Sequence, residues 1–332
     1  MPDKIKGLFA IIPTPAKESA ARWDALDTVD LVETERLVNQ LIKDGVNGFI
    51  ILGTTGECAT LTKSEYQKYA DCVLRTVAKR VPTYVGTTAL GMHEVVERIR
   101  FVRDLGADGT LLGLPMWQPV TRDMAVSFYA RLSEGFPDFP IMAYANQRAF
   151  RFKFDAEFWR SVAQKAPTVT SAKHSKSVSL LEFIAATQGK IHFVPHQTAA
   201  YRFAQLSPET TTACWSTAAS CGPEPALAMI NAIRAGDLVR AGGILEDLEY
   251  ASDPIKEIVA APDIFASYTI QIEKIRMNAA GYCKAGPIRP PYDVIPEDYA
   301  EAASECGRRW ASLRSKYASN QNSPTDSAAE PI

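Results

Sequence analysis

The chain has 332 residues, 46% of them apolar and 22% charged, the makeup of a folded globular protein with one large domain or two ordinary ones. Thirty-six basic against 38 acidic residues leave a formal charge of −2, which gives no field to attract nucleic acid or an anionic membrane. No apolar run approaches the roughly 20 residues of a membrane span, and the six cysteines contain no Cys-x-x-Cys pair and form no disulfide framework, so reduced thiols in the cytoplasm are expected.

After Lys4 and Lys6 comes a short apolar run, Leu8 to Ile12, stopped by Pro13. It is too short for a signal peptide and reads as a first strand. Further short strand-like runs follow at Gly48–Leu52, Thr83–Thr87, Gly109–Leu114, Ile141–Asn146, Val169–Ser175, Ile191–Pro195 and Thr210–Trp215. Segments of helical period or composition separate the first seven: Val29–Lys43, Ser64–Lys79, Met92–Leu105, Asp123–Glu134, Asp155–Lys165 and Val178–Thr187. Asp, Ser or Thr stands near several helix starts, and Gly45 and Gly106 follow two helix ends. Eight strands alternating with helices predict a (β/α)8 TIM barrel. The connection from strand seven to strand eight is short, and its helix is left open. Beyond residue 221 the pattern turns helical over Pro225–Ala235, Leu238–Ala260, Ile264–Ala280 and Glu297–Tyr317. That is more than an eighth barrel helix requires. The expected organisation is barrel strands and most barrel helices in 1–220, the last barrel helix with a C-terminal helical extension in 221–317, and a polar, disordered tail in 318–332.

Active sites of such barrels lie at the C-terminal strand ends. Lys173 sits near the end of strand six, where period-two alternation puts Val169, Ser171, Lys173 and Ser175 on one face. A lysine facing into a barrel is desolvated, which lowers its pKa and suits it to Schiff-base formation. Taken alone, a barrel lysine more often snorkels to the rim or pairs with an acid. Tyr144 and Asn146 share a face of neighbouring strand five, where a phenol relays protons or simply packs in the core. Gly53-Thr54-Thr55-Gly56-Glu57 after strand two offers closely spaced backbone N–H groups and two hydroxyls, suited to a small carboxylate or to a tight turn. His192 and His196 form a His-x-x-x-His that a helix could turn into a metal clamp. In a strand the rings stand roughly 13 Å apart, so no metal is expected. Gly-x-Gly-x-x-Gly and the P-loop pattern are both absent, so neither a dinucleotide nor a nucleotide site is indicated.

Gly53-Thr-Thr-Gly-Glu57, the Tyr144 strand, the strand-six Lys173 and the opening Phe9-Ala-Ile-Ile-Pro-Thr-Pro15 together resemble the dihydrodipicolinate synthase / N-acetylneuraminate lyase family of class I pyruvate aldolases, over residues 5 to 315. The resemblance implies a barrel with C-terminal helices, a homotetramer, Lys173 as the imine-forming lysine, Tyr144 as its proton relay, and Gly53, Thr54 and Thr55 around the pyruvoyl carboxylate. No cofactor is implied beyond the covalent lysine–pyruvate imine.

Two departures stand out. Where the synthases of this family carry a tyrosine pair after strand four, this chain reads Leu114-Pro-Met-Trp117. Where they read Asn-Val-Pro and then an arginine for a second carboxylate, it reads Ala145-Asn146-Gln147-Arg148. Met116, Trp117, Phe150, Phe152 and Trp215 suggest a flat apolar pocket, although single aromatics more often pack the core. With these features the chain is similar to the hydratase-aldolases of bacterial polycyclic-aromatic degradation. That similarity implies Tyr144, Asn146, His196, Trp215 and Asn278 around the site. It also implies an arylidenepyruvate such as o-hydroxybenzylidenepyruvate cleaved to salicylaldehyde and pyruvate. The alternatives are a dihydrodipicolinate synthase or sugar-acid aldolase, and a barrel that binds a ligand without chemistry.

Overall fold

A computed structural model describes residues 5–321. The elements alternate as β1 (Gly7–Ile11), α1 (Leu31–Lys43), β2 (Gly48–Ile51), α2 (Lys63–Val77), β3 (Thr83–Gly86), α3 (Met92–Asp104), β4 (Gly109–Leu112), α4 (Arg122–Gly135) and β5 (Ile141–Tyr144). A single turn, α5 (Gln147–Phe150), then precedes α6 (Ala156–Lys165), β6 (Val169–Lys173), α7 (Leu180–Thr187), β7 (His192–Val194), α8 (Gln197–Leu206), β8 (Ala213–Ser216) and α9 (Glu224–Arg234). The extension is α10 (Leu238–Ser252), α11 (Lys256–Ala260), α12 (Pro262–Ala280) and α13 (Glu297–Gln321).

All strand pairs are parallel, in the order β7-β6-β5-β4-β3-β2-β1-β8. The two ends meet where Trp215 N donates to Pro195 O at 2.9 Å, with a further bridge between His196 and Trp215. The alternation of the strands sorts their side chains into two layers. Leu8, Ala10, Phe49, Ile51, Val85, Leu112 and Ala143 face the helices. Phe9, Ile11, Ile50, Tyr84, Leu111 and Met142 plug the barrel, with Tyr144 and Trp215 packed against them. Gly48 and Gly109 lie where the Phe9 and Tyr84 rings cross the barrel; a Cβ on either would stand within 2.6 Å of a ring carbon. The plug seals the interior below the C-terminal rim, so chemistry is confined to that rim.

Helix starts are fixed by side-chain caps. Asp30, Thr121, Asp155 and Asp237 each accept an N–H from the first turn, and Thr62 with Glu65 forms a full capping box. The structure differs from sequence expectation in four places. A ten-residue α8 does fit between β7 and β8. The helix expected over Leu238–Ala260 breaks after Ser252, where Pro254 has no N–H to continue it. The last helix runs to Gln321, past the expected start of the tail at 318, and the rest of that tail lies outside the described residues. Finally, the β5–β6 register shifts between Ile141 and Met142, pairing Ile141 with Val169 but Met142 with Ser171. The extra residue, Thr170, reverses the alternation. Val169 therefore faces the helix layer, while Ser171 and Lys173 lie beside the inward Met142 and Tyr144.

Among the described residues no helix is long and apolar enough to cross a membrane, and no group of three or more His, Cys, Asp or Glu side chains is placed to hold a metal. All six cysteines are free thiols.

Candidate active site

Lys173 closes β6 directly opposite Tyr144 of β5. Its Nζ lies 3.3 Å from the centroid of the Trp215 ring and 4.7 Å from that of Tyr144. The half-buried amine thus lies between two aromatic faces. Burial pushes its pKa down to about 7; the Glu273 carboxylate pulls it back up, and the Arg148 guanidinium pushes it further down. A free amine is a nucleophile, and at neutral pH this one is free about half the time.

The Tyr144 hydroxyl sits 3.1 Å from Thr54 Oγ1 and accepts from Asn146 Nδ2 at 3.2 Å. Burial raises its pKa, which the bonds to Thr54 and Asn146 oppose. Asn146 is itself fixed as the N-cap of α5, its Oδ1 accepting from Ala149 N. The Phe150 ring at the end of that turn packs edge-on against Tyr144, with centroids 5.5 Å apart, and fills the space over Gly113. The turn thereby braces the phenol from behind, and Phe150 is no pocket wall. Phe152 packs with Phe154 and Phe158 in the outer core.

Residues 53–60 wind through successive turns, and α2 begins only at Lys63. Among the described residues no acceptor takes the Thr54 or Thr55 N–H. Thr55 is buried, and Thr54 reaches Tyr144. The loop has the donors of an anion cradle, with a phenol at its edge and the amine beyond. Its foot is tied down by Glu57, which has a left-handed φ of 52° and is fully buried. Glu57 Oε2 takes Lys274 Nζ at 2.9 Å and Arg289 Nη1 at 2.6 Å. Arg289 also holds the Thr14, Pro15 and Thr28 carbonyls, and Lys274 the Pro287 carbonyl.

His196 caps α8, its Nδ1 2.8 Å from Thr198 Oγ1 and its ring tilted over Trp215 at 4.7 Å. Burial, with Arg276 and Lys173 nearby, pushes its pKa down to about 3, so the ring is neutral. Trp215 Nε1 donates to Val194 O, which locks the indole beneath the lysine.

Two expected site residues fall elsewhere. Asn278 is exposed on α12 and spends its amide on Gly286, Nδ2 donating to O and Oδ1 accepting from N. Trp117 stands 78% exposed on the loop after β4, where its carbonyl and that of Met116 are held by Arg151. Its ring belongs to the molecular surface rather than to the wall around Lys173. In exchange, α12 brings Glu273 and Arg276 to Thr217, just past β8. The only sequence signal for them is a run of polar residues, Gln271, Glu273, Lys274 and Arg276, threaded through Ile270, Ile272, Ile275 and Met277.

The model of the dihydrodipicolinate synthetase family matches residues 18–305. The chain is 40% identical over 319 residues to the trans-O-hydroxybenzylidenepyruvate hydratase-aldolase of Pseudomonas aeruginosa, covering 95% of each chain. It is 36% identical to the trans-2'-carboxybenzalpyruvate hydratase-aldolase of Nocardioides sp. (strain KP7), covering 96% of this chain and 97% of that one. Among solved structures it superposes on PhdJ bound to substrate intermediate with a TM-score of 0.91 at 35% identity, over 95% of this chain and 98% of that one. With the eight-stranded barrel, the half-buried lysine of β6 and the tyrosine beside it, these matches make the chain a member of the dihydrodipicolinate synthetase family.

Proposed function

We propose that the protein is a Schiff-base hydratase-aldolase that converts an arylidenepyruvate, such as trans-o-hydroxybenzylidenepyruvate, to an aromatic aldehyde and pyruvate. The observation that carries this reading is the amine of Lys173, set between the Trp215 and Tyr144 rings, with the Tyr144 hydroxyl in turn bonded to Thr54 of the cradle. The near-full-length similarity to two hydratase-aldolases supports the arylidene class of substrate.

The substrate carboxylate rests on the Thr54 and Thr55 N–H groups and the Thr54 hydroxyl. Lys173 adds to the ketone, and Tyr144, poised by Asn146, passes the protons that turn carbinolamine into imine. The protonated imine draws electrons from the conjugated alkene, so water adds at the far carbon and loses a proton, and protonation of the resulting enamine at the carbon beside the nitrogen-bearing carbon restores the iminium. The new hydroxyl then gives up its proton, the carbon–carbon bond breaks, the aryl aldehyde departs, and its electrons rest in the pyruvate enamine. Protonation and hydrolysis release pyruvate and the lysine. The imine is the electron sink, so the reaction needs neither metal nor organic cofactor.

The free thiols and the near-neutral charge fit a cytoplasmic enzyme, and the apolar Leu90, Trp117 and Met124, exposed near the starts of α3 and α4, fit contact between subunits of a homotetramer. The test uses chelator-treated enzyme. Borohydride with pyruvate should label Lys173 alone, and o-hydroxybenzylidenepyruvate should be cleaved far better than an aliphatic alkylidenepyruvate. Label on Lys176, or equal use of the aliphatic substrate, refutes the reading.

A further inference from the structure

Helix α12 presents a buried polar cluster that the steps above leave without a role. Arg276 Nη2 donates to Thr217 Oγ1 at 2.6 Å, and Thr217 Oγ1 donates to Glu273 Oε1 at 3.3 Å. Glu273, Arg276 and Thr217 are 6%, 9% and 7% exposed. Thr217 directly follows β8, the strand whose Trp215 lies against Lys173. Burial lowers the pKa of both Lys173 and His196; the Glu273 carboxylate opposes it at Lys173 and the Arg276 guanidinium adds to it at His196.

The pair is not closed on itself. Arg36 and Glu33, at the same three-residue spacing on α1, form two in-line bonds of 2.6 and 2.7 Å from Nε and Nη2. Arg276 and Glu273 do not. Glu273 Oε2 lies 2.9 Å from Arg276 Nη2 but receives no hydrogen bond, because the N–H does not point at it. Arg276 Nε–H has no acceptor at all. An unmet donor and an unmet acceptor on neighbouring side chains are both buried, where each is costly until it finds a partner. Only a group that both accepts and donates satisfies the two together, and the smallest such group is water.

We propose that Glu273 and Arg276, braced by Thr217, bind the water that hydrates the conjugated imine, and that Glu273 takes its proton; this rests on the hydratase-aldolase reading. Arg276 Nε–H donates to the water oxygen, and the water donates to Glu273 Oε2. As the oxygen bonds to the far alkene carbon, the π pair moves through the conjugated system to the imine nitrogen, giving an enamine, and the water proton passes to Glu273. That proton is returned at the carbon beside the imine, which completes addition of water across the double bond. In cleavage the same carboxylate receives the proton of the new hydroxyl as the carbon–carbon bond breaks.

The experiment compares wild type with Glu273→Gln on two readouts. Pyruvate trapping by borohydride reports the fold and Lys173; quenching with borohydride during turnover of o-hydroxybenzylidenepyruvate reports which species sits on the lysine. Glu273→Gln should keep pyruvate trapping, lose roughly 10² or more in kcat, and accumulate the intact, unhydrated substrate on Lys173. A merely structural residue would lose both readouts together. Should the amide variant not fold, Glu273→Asp keeps the charge beside Arg276 while withdrawing the oxygen, and accumulation of the unhydrated adduct is again the supporting result. Wild-type kcat, or the same adducts as wild type, overturns the proposal. Wild-type enzyme that traps pyruvate yet leaves the arylidenepyruvate untouched instead overturns the hydratase-aldolase reading beneath it.

Discussion

The acid limb of the pH profile is the sharpest consequence of where Lys173 sits. Attack on a ketone requires the unprotonated amine. An exposed lysine with its ordinary value of 10.5 would hold about one part in 3,000 of that form at pH 7, whereas a value of about 7 holds about half. Burial of the amine therefore supplies a roughly 10³-fold gain in its free form before any chemistry occurs. Because the folded pKa is depressed, the amine is free above about pH 7 and gains its proton as pH falls below it. We expect kcat/KM for substrate to be flat just above that value and to drop about tenfold per pH unit below it. His196, held neutral down to about pH 3, does not contribute to this limb. The assay is kcat/KM from pH 5.5 to 9, paired with the rate of borohydride trapping of pyruvate, which isolates imine formation. A limb that keeps rising toward pH 10 in both measurements would show that the amine is solvated in the working enzyme, and the argument from enclosure would fail.

Two further outcomes follow from neighbouring contacts. Tyr144→Phe removes the hydroxyl shared with Thr54 and Asn146 while the ring keeps its packing on Phe150, so kcat should fall roughly 10²- to 10⁴-fold with little change in pyruvate trapping at equilibrium; near-normal kcat would assign proton transfer elsewhere. Glu57→Gln leaves Lys274 and Arg289 buried without their carboxylate, a change that costs roughly 3–5 kcal/mol in buried pairs. Burial already lowers the Lys274 pKa, so that lysine can shed its proton, and the lower figure is expected. For a chain of this length that is a fall in Tm on the order of 5 °C, readable by calorimetry. An unchanged Tm would mean that the Glu57 network is not what holds the cradle's foot.

The parts of this site legible in the sequence are those set by local pattern. The strands are short β-branched runs between helical segments, and all eight fall where that pattern puts them, because a barrel strand buried on both faces has no other composition to choose. Lys173 faces inward as expected, yet the bulge at Thr170 means that its parity with Ser171 is informative and its parity with Val169 is not. The positions carried over from a family pattern come together beside Lys173 where a motif pins them, as at Tyr144, Asn146 and Thr54, and lie apart from it where none does. Asn278 lies two residues beyond Arg276 on α12, roughly 200° round the helix, which turns it to solvent and Gly286. Trp117 sits in a loop, and loops carry no periodicity from which to read direction.

The buried ion pairs were illegible for a different reason. Glu273 and Arg276 at three residues' spacing look in sequence like any surface pair on a helix, and Arg308 with Glu305 is such a pair. What separates them is the environment that tertiary packing creates. Consecutive residues of α12 reach two different strand ends: Lys274 reaches Glu57 in the loop after β2, and Glu273 reaches Thr217 just past β8. Both connections cross the division at residue 220 between barrel strands and C-terminal helices. A displacement of α12 would therefore disturb the cradle and the Thr217 cluster at once. The helical extension is accordingly tied into the rim of the barrel, because one rigid helix holds two charges, one residue apart, at fixed positions against the loop after β2 and the residue after β8.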